Sequence, residues 1–270
     1  MTDLPGWAPP GVDTRRANTA RVYDYLLGGS HNFLADQDAG RAITALDPAA
    51  GMFARANRAF LGRAVRLLAA NGITQFLDIG SGIPTEHNVH EVAQSAAPGA
   101  RVAYVDVDPV AIAHSKAILA GQPDVAVLEA DLRDPEKILA SPEVGRVIDF
   151  SQPAGLLLVA VLHFIASAED PWRLVGTLRD ALAPGSYLVL GQATSEGRTA
   201  RNKAFEKMYN RSVATSIQLR SRAEIERFFD GFQVVDPGVV FVPLWRPDVP
   251  ADVPRDPSRS GNLVGVARKD

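Results

Sequence analysis

Residues 76–84 read FLDIGSGIP, and this stretch decides the fold. An apolar strand ends at Asp78 and is followed at once by Gly80 and Gly82. Buried parallel strands end in such glycine turns where the backbone must approach a ligand closely. A second apolar strand ends at Asp106. An acid at that place accepts hydrogen bonds from a ribose diol, so the two strand ends together indicate a site for a nucleoside-containing cofactor.

The residue after the glycine turn indicates which cofactor is bound. The dinucleotide fingerprint G-x-G-x-x-G requires a glycine at position 85, where Thr85 stands. That third glycine leaves a helix N-terminus free for a pyrophosphate, whereas the Asp78 carboxylate repels phosphates and attracts an ammonium group. S-adenosylmethionine has a ribose at one end and a zwitterionic amino acid at the other, and we therefore expect it as the cofactor. Glycines that only form a turn are the alternative explanation.

Composition and charge restrict the class of protein. The 270 residues carry a formal net charge of −3 without a basic run, so we expect no nucleic-acid partner. There is no cysteine, which excludes disulfides and thiolate zinc sites. The longest apolar stretch runs from Leu156 to Ala166 and is far shorter than the about 20 residues that span a bilayer. The N-terminal residues MTDLPGWAPP lack a signal-peptide pattern, so we expect a cytoplasmic protein without membrane contact.

Helices precede an alternation of strands and helices. Prolines and glycines in residues 1–16 predict a loose segment, and residues 17–72 predict a helical cap, or lid. Residues 73–270 are predicted to form one domain, with apolar strands at 75–79, 101–105, 125–129, 156–162 and 186–191. Helices are predicted between them at 85–96, 109–120, 134–140 and 170–183. This alternation is typical of a parallel sheet covered on both faces.

The C-terminal part departs from the alternation. Ser221 and Glu224 form a capping-box pattern that opens a helix through Phe229. Residues 232–242 predict one or two strands broken at a Pro-Gly pair, and residues 263–267 predict a strand that returns antiparallel. A seven-stranded, mostly parallel sheet closed by an antiparallel last strand distinguishes the methyltransferase fold from the dinucleotide fold.

Four segments carry a resemblance to class I S-adenosylmethionine-dependent methyltransferases, and more narrowly to an actinobacterial family of S-adenosyl methyltransferases. They are ARVYDYLLGGSHNF (20–33), NRAFLGRAVRLLAANGITQFLDIGSGIPT (57–85), YVDVDPVAIAHS (104–115) and LLLVAVLHFI (156–165). The resemblance extends from about residue 16 to the last strand. It implies an α/β, Rossmann-like methyltransferase sheet with an N-terminal helical cap, S-adenosyl-L-methionine as cofactor, and methyl transfer as the activity.

The resemblance also implies roles for individual residues on the cofactor side. The implied cofactor-binding residues are Asp78, Gly80, Ser81, Gly82, Asp106, Val107, Asp131, Leu132 and Leu162. Asp106 is expected to accept from the ribose hydroxyls, and Asp131 from the adenine amino group. Asp108 lies two residues beyond Asp106 and is an alternative ribose acceptor. For Asp131 the alternative is an ordinary loop acid before a helix.

On the acceptor side, His163 at the end of the fourth predicted strand is the candidate general base. A buried histidine with only a hydrogen-bonding role is the alternative. Alignment of donor and acceptor can supply most of the acceleration of methyl transfer, so a base is not required. The candidate acceptor-binding residues are Tyr25, His31, Asn32, Phe33, Asn57, Arg58, Phe164 and Tyr209. Core packing is the alternative for Tyr25 and Phe33.

These observations predict a methyltransferase that modifies O or N of a small molecule. A non-catalytic sensor of S-adenosylmethionine or its demethylated product is an alternative, and an NAD-dependent oxidoreductase is a weaker one. Four residues on the first helix of the sheet region have metal-ligand spacing, namely Glu86, His87, His90 and Glu91. A solvated helix face explains them better, so we expect no metal site.

Overall fold

The computed structural model describes residues 4–48, 50–84, 88–197, 199–213 and 215–270. Its helices are α1 (Thr19–Leu27), α2 (Leu34–Leu46), α3 (Ala50–Ala70), α4 (Val89–Ala96), α5 (Pro109–Ile118), α6 (Pro135–Leu139), α7 (Pro142–Gly145), α8 (Pro171–Ala181), α9 (Thr199–Ser212) and α10 (Arg222–Glu226). Its strands are β1 (Gln75–Ile79), β2 (Arg101–Asp106), β3 (Val125–Glu129), β4 (Gly155–Val159), β5 (Tyr187–Ala193), β6 (Gln233–Val234), β7 (Val240–Phe241) and β8 (Asn262–Arg268).

The strands form one mixed sheet in the order β3-β2-β1-β4-β5-β8-β6, with β7 also pairing with β8. Strands β1 to β5 are parallel, and β8 runs antiparallel to β5. The predicted methyltransferase-type sheet is therefore confirmed, with two short strands in the region where one or two were expected. Because strand order reverses between β1 and β4, their carboxyl ends flank the position where such sheets bind ligands.

Helix α3 belongs to the core of the sheet as well as to the N-terminal cap. Its residues Phe60, Leu61, Val65 and Leu68 are buried and pack in one cluster with Phe76 of β1. By contrast, α1 and α2 pack with α9 and the end of β5 in a separate cluster. Helices α1, α2 and α9 thus form one packed group with the start of α3, through Ala50. The predicted cap, residues 17–72, contains α1, α2 and α3 but not α9.

Strand β4 is shorter than its apolar run predicts. The expected strand reached residue 162, but β4 ends at Val159 and Ala160 has a φ of +63°, which breaks the strand. Residues Leu162–Phe164 form a 3-10 turn instead of a strand end. The buried guanidinium of Arg220 stabilises this turn, donating from Nη1 to the Leu162 carbonyl at 2.8 Å and from Nη2 to the Ile165 carbonyl at 2.6 Å.

The described part of the N-terminal segment, residues 4–16, contains neither helix nor strand. It is nevertheless packed, because Trp7, Ala8 and Val12 contact a small buried cluster that includes Phe33. Among the helices within the described ranges, none combines the length and the hydropathy that crossing a membrane requires.

Candidate active site

A cavity of about 1000 Å³ lies at the carboxyl ends of the parallel strands, beneath α1, α2 and α9. It brings together most of the residues predicted from the sequence. The predicted residues that line it are Asn57, Arg58, Asp78, Gly80, Ser81, Gly82, Asp106, Val107, Asp131, Leu132, His163, Phe164 and Tyr209. We call the part around β1, β2 and β3 the cofactor end, and the part beneath α1, α2 and α9 the acceptor lobe.

The glycine turn after β1 leaves no room for a side chain at its first glycine. Gly80 has a φ of +78°, and a Cβ there would lie 2.6 Å from Cβ of Val161. Gly82 also has a positive φ, +68°, but a Cβ there would meet nothing within 4 Å. The turn is attached to β2, since the Gly80 amide donates to the Val105 carbonyl at 2.8 Å.

Asp106 and Asp108 have different positions, which decides between them as ribose acceptors. The Asp106 carboxylate lines the cavity and accepts from the Gly82 amide at 2.7 Å and the Asp108 amide at 2.9 Å. Burial raises its pKa, and these backbone hydrogen bonds oppose the rise. Asp108 instead caps α5, accepting from the amides of Val110 and Ala111, and is not among the residues that line the cavity. The geometry favours Asp106.

Asp78 and Arg58 interact electrostatically at the cofactor end. Burial raises the pKa of Asp78 to about 7; the positive charge of Arg58 opposes this rise and the negative charge of Asp106 adds to it. Arg58 projects from α3, and its Nη2 lies 3.4 Å from the Ile83 carbonyl oxygen. A cation that enters the cavity would stabilise the ionised form of this carboxylate and lower its pKa.

Asp131 lies in a small charged network that the sequence did not predict. Its Oδ1 accepts from the backbone amide of Arg133 at 2.9 Å, and Arg133 donates from Nε to Glu169 at 2.6 Å. The Nη2 atom of Arg133 also donates to the Phe164 carbonyl at 3.0 Å. Because Arg133 bonds to residues after β3 and after β4, it connects two of the loops that line the cavity.

The structure argues against His163 as a general base. Its side chain is buried, and burial, with a further contribution from Arg220, lowers its pKa to about 3. Its Nδ1 faces the Ala193 amide at 3.5 Å, so Nδ1 is the acceptor and the ring proton is on Nε2. At neutral pH the imidazole is therefore uncharged and binds protons very weakly. The alternative, a buried histidine with only a hydrogen-bonding role, describes His163 better.

Leu162 does not reach the cavity, because the 3-10 turn directs it into the core, where it is fully buried. Thr85, Glu86 and His87 lie outside the described residues. His90, from the same candidate metal group, is a buried side chain whose Nδ1 lies 2.8 Å from the Tyr104 hydroxyl.

Four acceptor-binding candidates from the cap also lie away from the cavity. Tyr25 covers Gly40 of α2, where a Cβ would come within 2.1 Å of its ring. His31 packs on His114, with ring centroids 3.9 Å apart, and Asn32 donates to Asp24 at 2.8 Å. Phe33 is the N-cap residue of α2 and is buried beside Ile83. These residues pack within the cap or connect it to α5, and they do not line the cavity.

The face of α1 that does line the cavity is Thr19, Val22, Tyr23 and Leu26. These residues follow the i, i+3, i+4, i+7 pattern of one helix face, a sequence signal that groups Tyr23, and not Tyr25, with Thr19 and Leu26 but does not show where that face points. The Tyr23 hydroxyl donates to the Ala54 carbonyl at 3.0 Å and receives the Asn57 side-chain amide at 3.3 Å. These bonds hold α1 against α3.

The sheet order, its antiparallel last strand and the acids at the ends of β1 and β2 define a Rossmann-like methyltransferase. The sequence model of a family described as S-adenosyl methyltransferase matches residues 5–270, and the chain belongs to this family. The protein is thus an S-adenosylmethionine-dependent methyltransferase, as its motifs indicate.

Two crystal structures are similar over nearly the whole chain. A protein of Thermobifida fusca described as a candidate methyltransferase is 45% identical with a TM-score of 0.92, covering 98% of this chain and 100% of that one. A DUF574 family protein of Streptomyces avermitilis is 40% identical with a TM-score of 0.91, covering 96% of this chain and 99% of that one. Both come from actinobacteria, as the resemblance implied. Among curated proteins, none matches this chain.

Proposed function

We propose that this protein transfers the methyl group of S-adenosylmethionine to an oxygen or nitrogen atom of a small molecule. The observation that supports this is the single cavity of about 1000 Å³ that contains both the cofactor end and the acceptor lobe. This volume is at the upper end of the about 300 to 1000 Å³ of ligand sites, which leaves room for a small acceptor beside the cofactor. A deep cavity beneath helices also suits a small molecule better than a nucleic acid.

The residues at the cofactor end fit an adenosyl amino acid. Asp106 has two carboxylate oxygens, each with two lone pairs, so its two backbone hydrogen bonds leave capacity for two ribose hydroxyls. Asp131 and Leu132 would hold the adenine. Asp78 would receive the ammonium group, and Arg58, beside it, the carboxylate. Arg58 thereby moves from the acceptor side, where the sequence suggested it, to the cofactor.

When bound there, the cofactor supplies a methyl group that is already activated on a sulfonium. The protein's part is to bind, to orient and to exclude water. The α1–α3 contact through Tyr23 and Asn57 keeps α1 over the cavity, and Arg133 holds the loops after β3 and β4 together. Burial lowers the pKa of His163 to about 3, so its ring has little affinity for a proton, and alignment rather than proton abstraction is the contribution of the acceptor side.

Calorimetric titration with S-adenosylmethionine, S-adenosylhomocysteine and NAD tests the cofactor. We expect micromolar binding of both adenosyl ligands and none of NAD. To test the acceptor, the protein and S-adenosylmethionine are incubated with the low- and high-molecular-weight fractions of a cell extract. S-adenosylhomocysteine should form with the small-molecule fraction only. Formation with the macromolecular fraction alone would refute a small acceptor, and binding without product in either fraction would favour a sensor.

The role of Arg58 has its own test. Arg58→Met should weaken S-adenosylhomocysteine binding about tenfold, the loss of one charge-assisted hydrogen bond, and leave 5′-methylthioadenosine, which lacks the amino acid, unaffected. Arg66→Met is the matched control, because Arg66 is on the same helix but pairs with the exposed Asp248 at 2.9 Å. Equal losses for both ligands in Arg58→Met would show that Arg58 does not contact the amino acid.

A further inference from the structure

The acceptor lobe has apolar and aromatic walls. Its lining includes Val22 and Leu26 of α1, Ile43 of α2, Phe205 of α9, and Phe164. These side chains belong to one apolar cluster. Phe164 and Phe205 both lie near the ring of Tyr209, with centroid distances of 6.3 Å and 5.8 Å. The walls therefore offer ring faces and aliphatic carbon to whatever enters.

Most polar side chains that line this lobe already form hydrogen bonds with the protein's own backbone. Asn210 bonds to both the amide and the carbonyl of Ile217, at 2.6 Å and 3.1 Å. Glu206 accepts from the Leu219 amide at 2.9 Å, and Asn202 donates to the carbonyls of Thr194 and Glu196. These groups fix the segment around residues 215–219 against α9, so recognition of the acceptor falls mainly to the apolar walls.

The Tyr209 hydroxyl differs from these groups. Tyr209 lines the cavity with only 6% of its surface exposed, and burial alone raises its pKa, so it stays protonated. Within the described ranges, no group hydrogen-bonds to this hydroxyl. The hydroxyl oxygen is accessible from the cavity, so a polar atom of the acceptor can hydrogen-bond to it there.

The charges on this side of the cavity are unfavourable to anions. Asp47 and Glu206 are carboxylates that line the lobe, and the arginine on the same side, Arg259, is exposed. An acceptor with a carboxylate, sulfonate or phosphate would lose its hydration and gain no buried cation in exchange.

We propose that the methyl acceptor is a planar aromatic compound without an anionic group, whose ring packs against Phe164 and Phe205 and whose polar substituent meets the Tyr209 hydroxyl. This inference rests on the function proposed above. The acceptor's own oxygen or nitrogen lone pair forms the new bond to the methyl carbon. The carbon–sulfur electron pair stays on sulfur, and the proton of the acceptor leaves to water, since neither His163 nor Tyr209 binds it.

The test uses the full-length protein saturated with S-adenosylhomocysteine and three probes in calorimetric titration. They are 2-naphthol, which is planar and uncharged, decahydro-2-naphthol, which has the same carbon skeleton without aromaticity, and naphthalene-2-sulfonate, which is planar and anionic. We expect 2-naphthol to bind about tenfold more tightly than the saturated alcohol, the value of aromatic contacts, and the sulfonate to bind more weakly still. Tyr209→Phe should weaken 2-naphthol about fivefold, the value of one hydrogen bond.

Tyr25→Phe is the matched control, because Tyr25 belongs to the same cap but packs outside the cavity; it should change none of these affinities. Equal binding of the three probes, or no binding of 2-naphthol to the complex with S-adenosylhomocysteine, would overturn the inference while leaving the cofactor assignment intact. An unchanged 2-naphthol affinity in Tyr209→Phe would overturn it too. A protein that does not bind S-adenosylhomocysteine would refute the proposed function, and this inference with it.

Discussion

The two ends of the cavity are built in different ways. At the cofactor end, most contributing residues lie at or just beyond the ends of strands β1, β2 and β3, and parallel pairing fixes where they lie. Because Ile79 pairs with Val105, Gly80 and Asp106 lie side by side. The acceptor lobe is assembled from α1, α2, α9 and the loop around residues 215–219, which are far apart in the chain. Strand ends are positioned by register, whereas helix faces are positioned by tertiary packing.

We therefore expect the largest loss of ligand binding from a substitution at the cofactor end. Asp106→Ala should weaken S-adenosylhomocysteine binding at least about a hundredfold, because it removes the proposed acceptor of two ribose hydroxyls, which also accepts from two backbone amides. Asp108→Ala should cost about 1 kcal/mol of stability through the lost helix cap, with little effect on binding. Titration calorimetry and urea unfolding of both variants check this. A reversed pattern would assign the ribose to Asp108.

The glycine turn provides a second test of the cofactor end. Gly80→Ala should destabilise the protein by about 3 kcal/mol, because backbone strain at positive φ adds to the clash with Val161. Gly82→Ala has the strain but open space, so it should cost only about 1 kcal/mol. Urea unfolding compares the two. Equal losses would show that the close approach to Val161 is not a constraint.

The same difference explains how far the sequence could predict the site. Of the implied cofactor residues, all but Leu162 line the cavity, because each follows a strand whose end was visible as an apolar run before an acid or glycine. The sequence did not show that Leu162 lies outside the cavity, because the length of an apolar run does not show where a strand ends. The break at Ala160 and the turn after it depend on the buried Arg220, which lies far away in the chain.

The acceptor side was harder to predict because a helix presents a different face with each residue, about 100° apart. Tyr25 was expected in the cavity, but Tyr23, two residues earlier, lines it. Choosing between them requires knowing which side of α1 packs on α2, and Gly40 settles this by leaving room for the ring of Tyr25. Asn57 and Arg58 do line the cavity, because α3 is anchored to the sheet by its own apolar face, although we propose a cofactor role for Arg58 and not the acceptor role that the sequence suggested.

A smaller effect concerns pH at the cofactor end. Asp78 must be ionised to bind an ammonium group, and burial raises its pKa to about 7. S-adenosylhomocysteine affinity should therefore be highest above pH 7 and fall about tenfold per pH unit below it. 5′-Methylthioadenosine, without the amino acid, should show no such dependence, and Asp78→Asn should bind S-adenosylhomocysteine weakly but equally at all these pH values. Calorimetry between pH 5.5 and 8.5 distinguishes these outcomes; a parallel fall for both ligands would exclude Asp78 as the ammonium partner.

In the acceptor lobe we expect no change of protonation near neutral pH, which makes this the smallest of the predicted effects. With its pKa lowered to about 3, His163 should give imidazole NMR signals that do not shift between pH 5 and 8, with His163→Gln used to assign them. A midpoint near 6.5 would mean that the ring is solvated and is available as a base. If the signals stay constant, protonation in the cavity changes near neutral pH at the cofactor end alone. The pH dependence of methyl transfer would then report cofactor binding and the acidity of the acceptor itself, as expected for an enzyme that works by alignment.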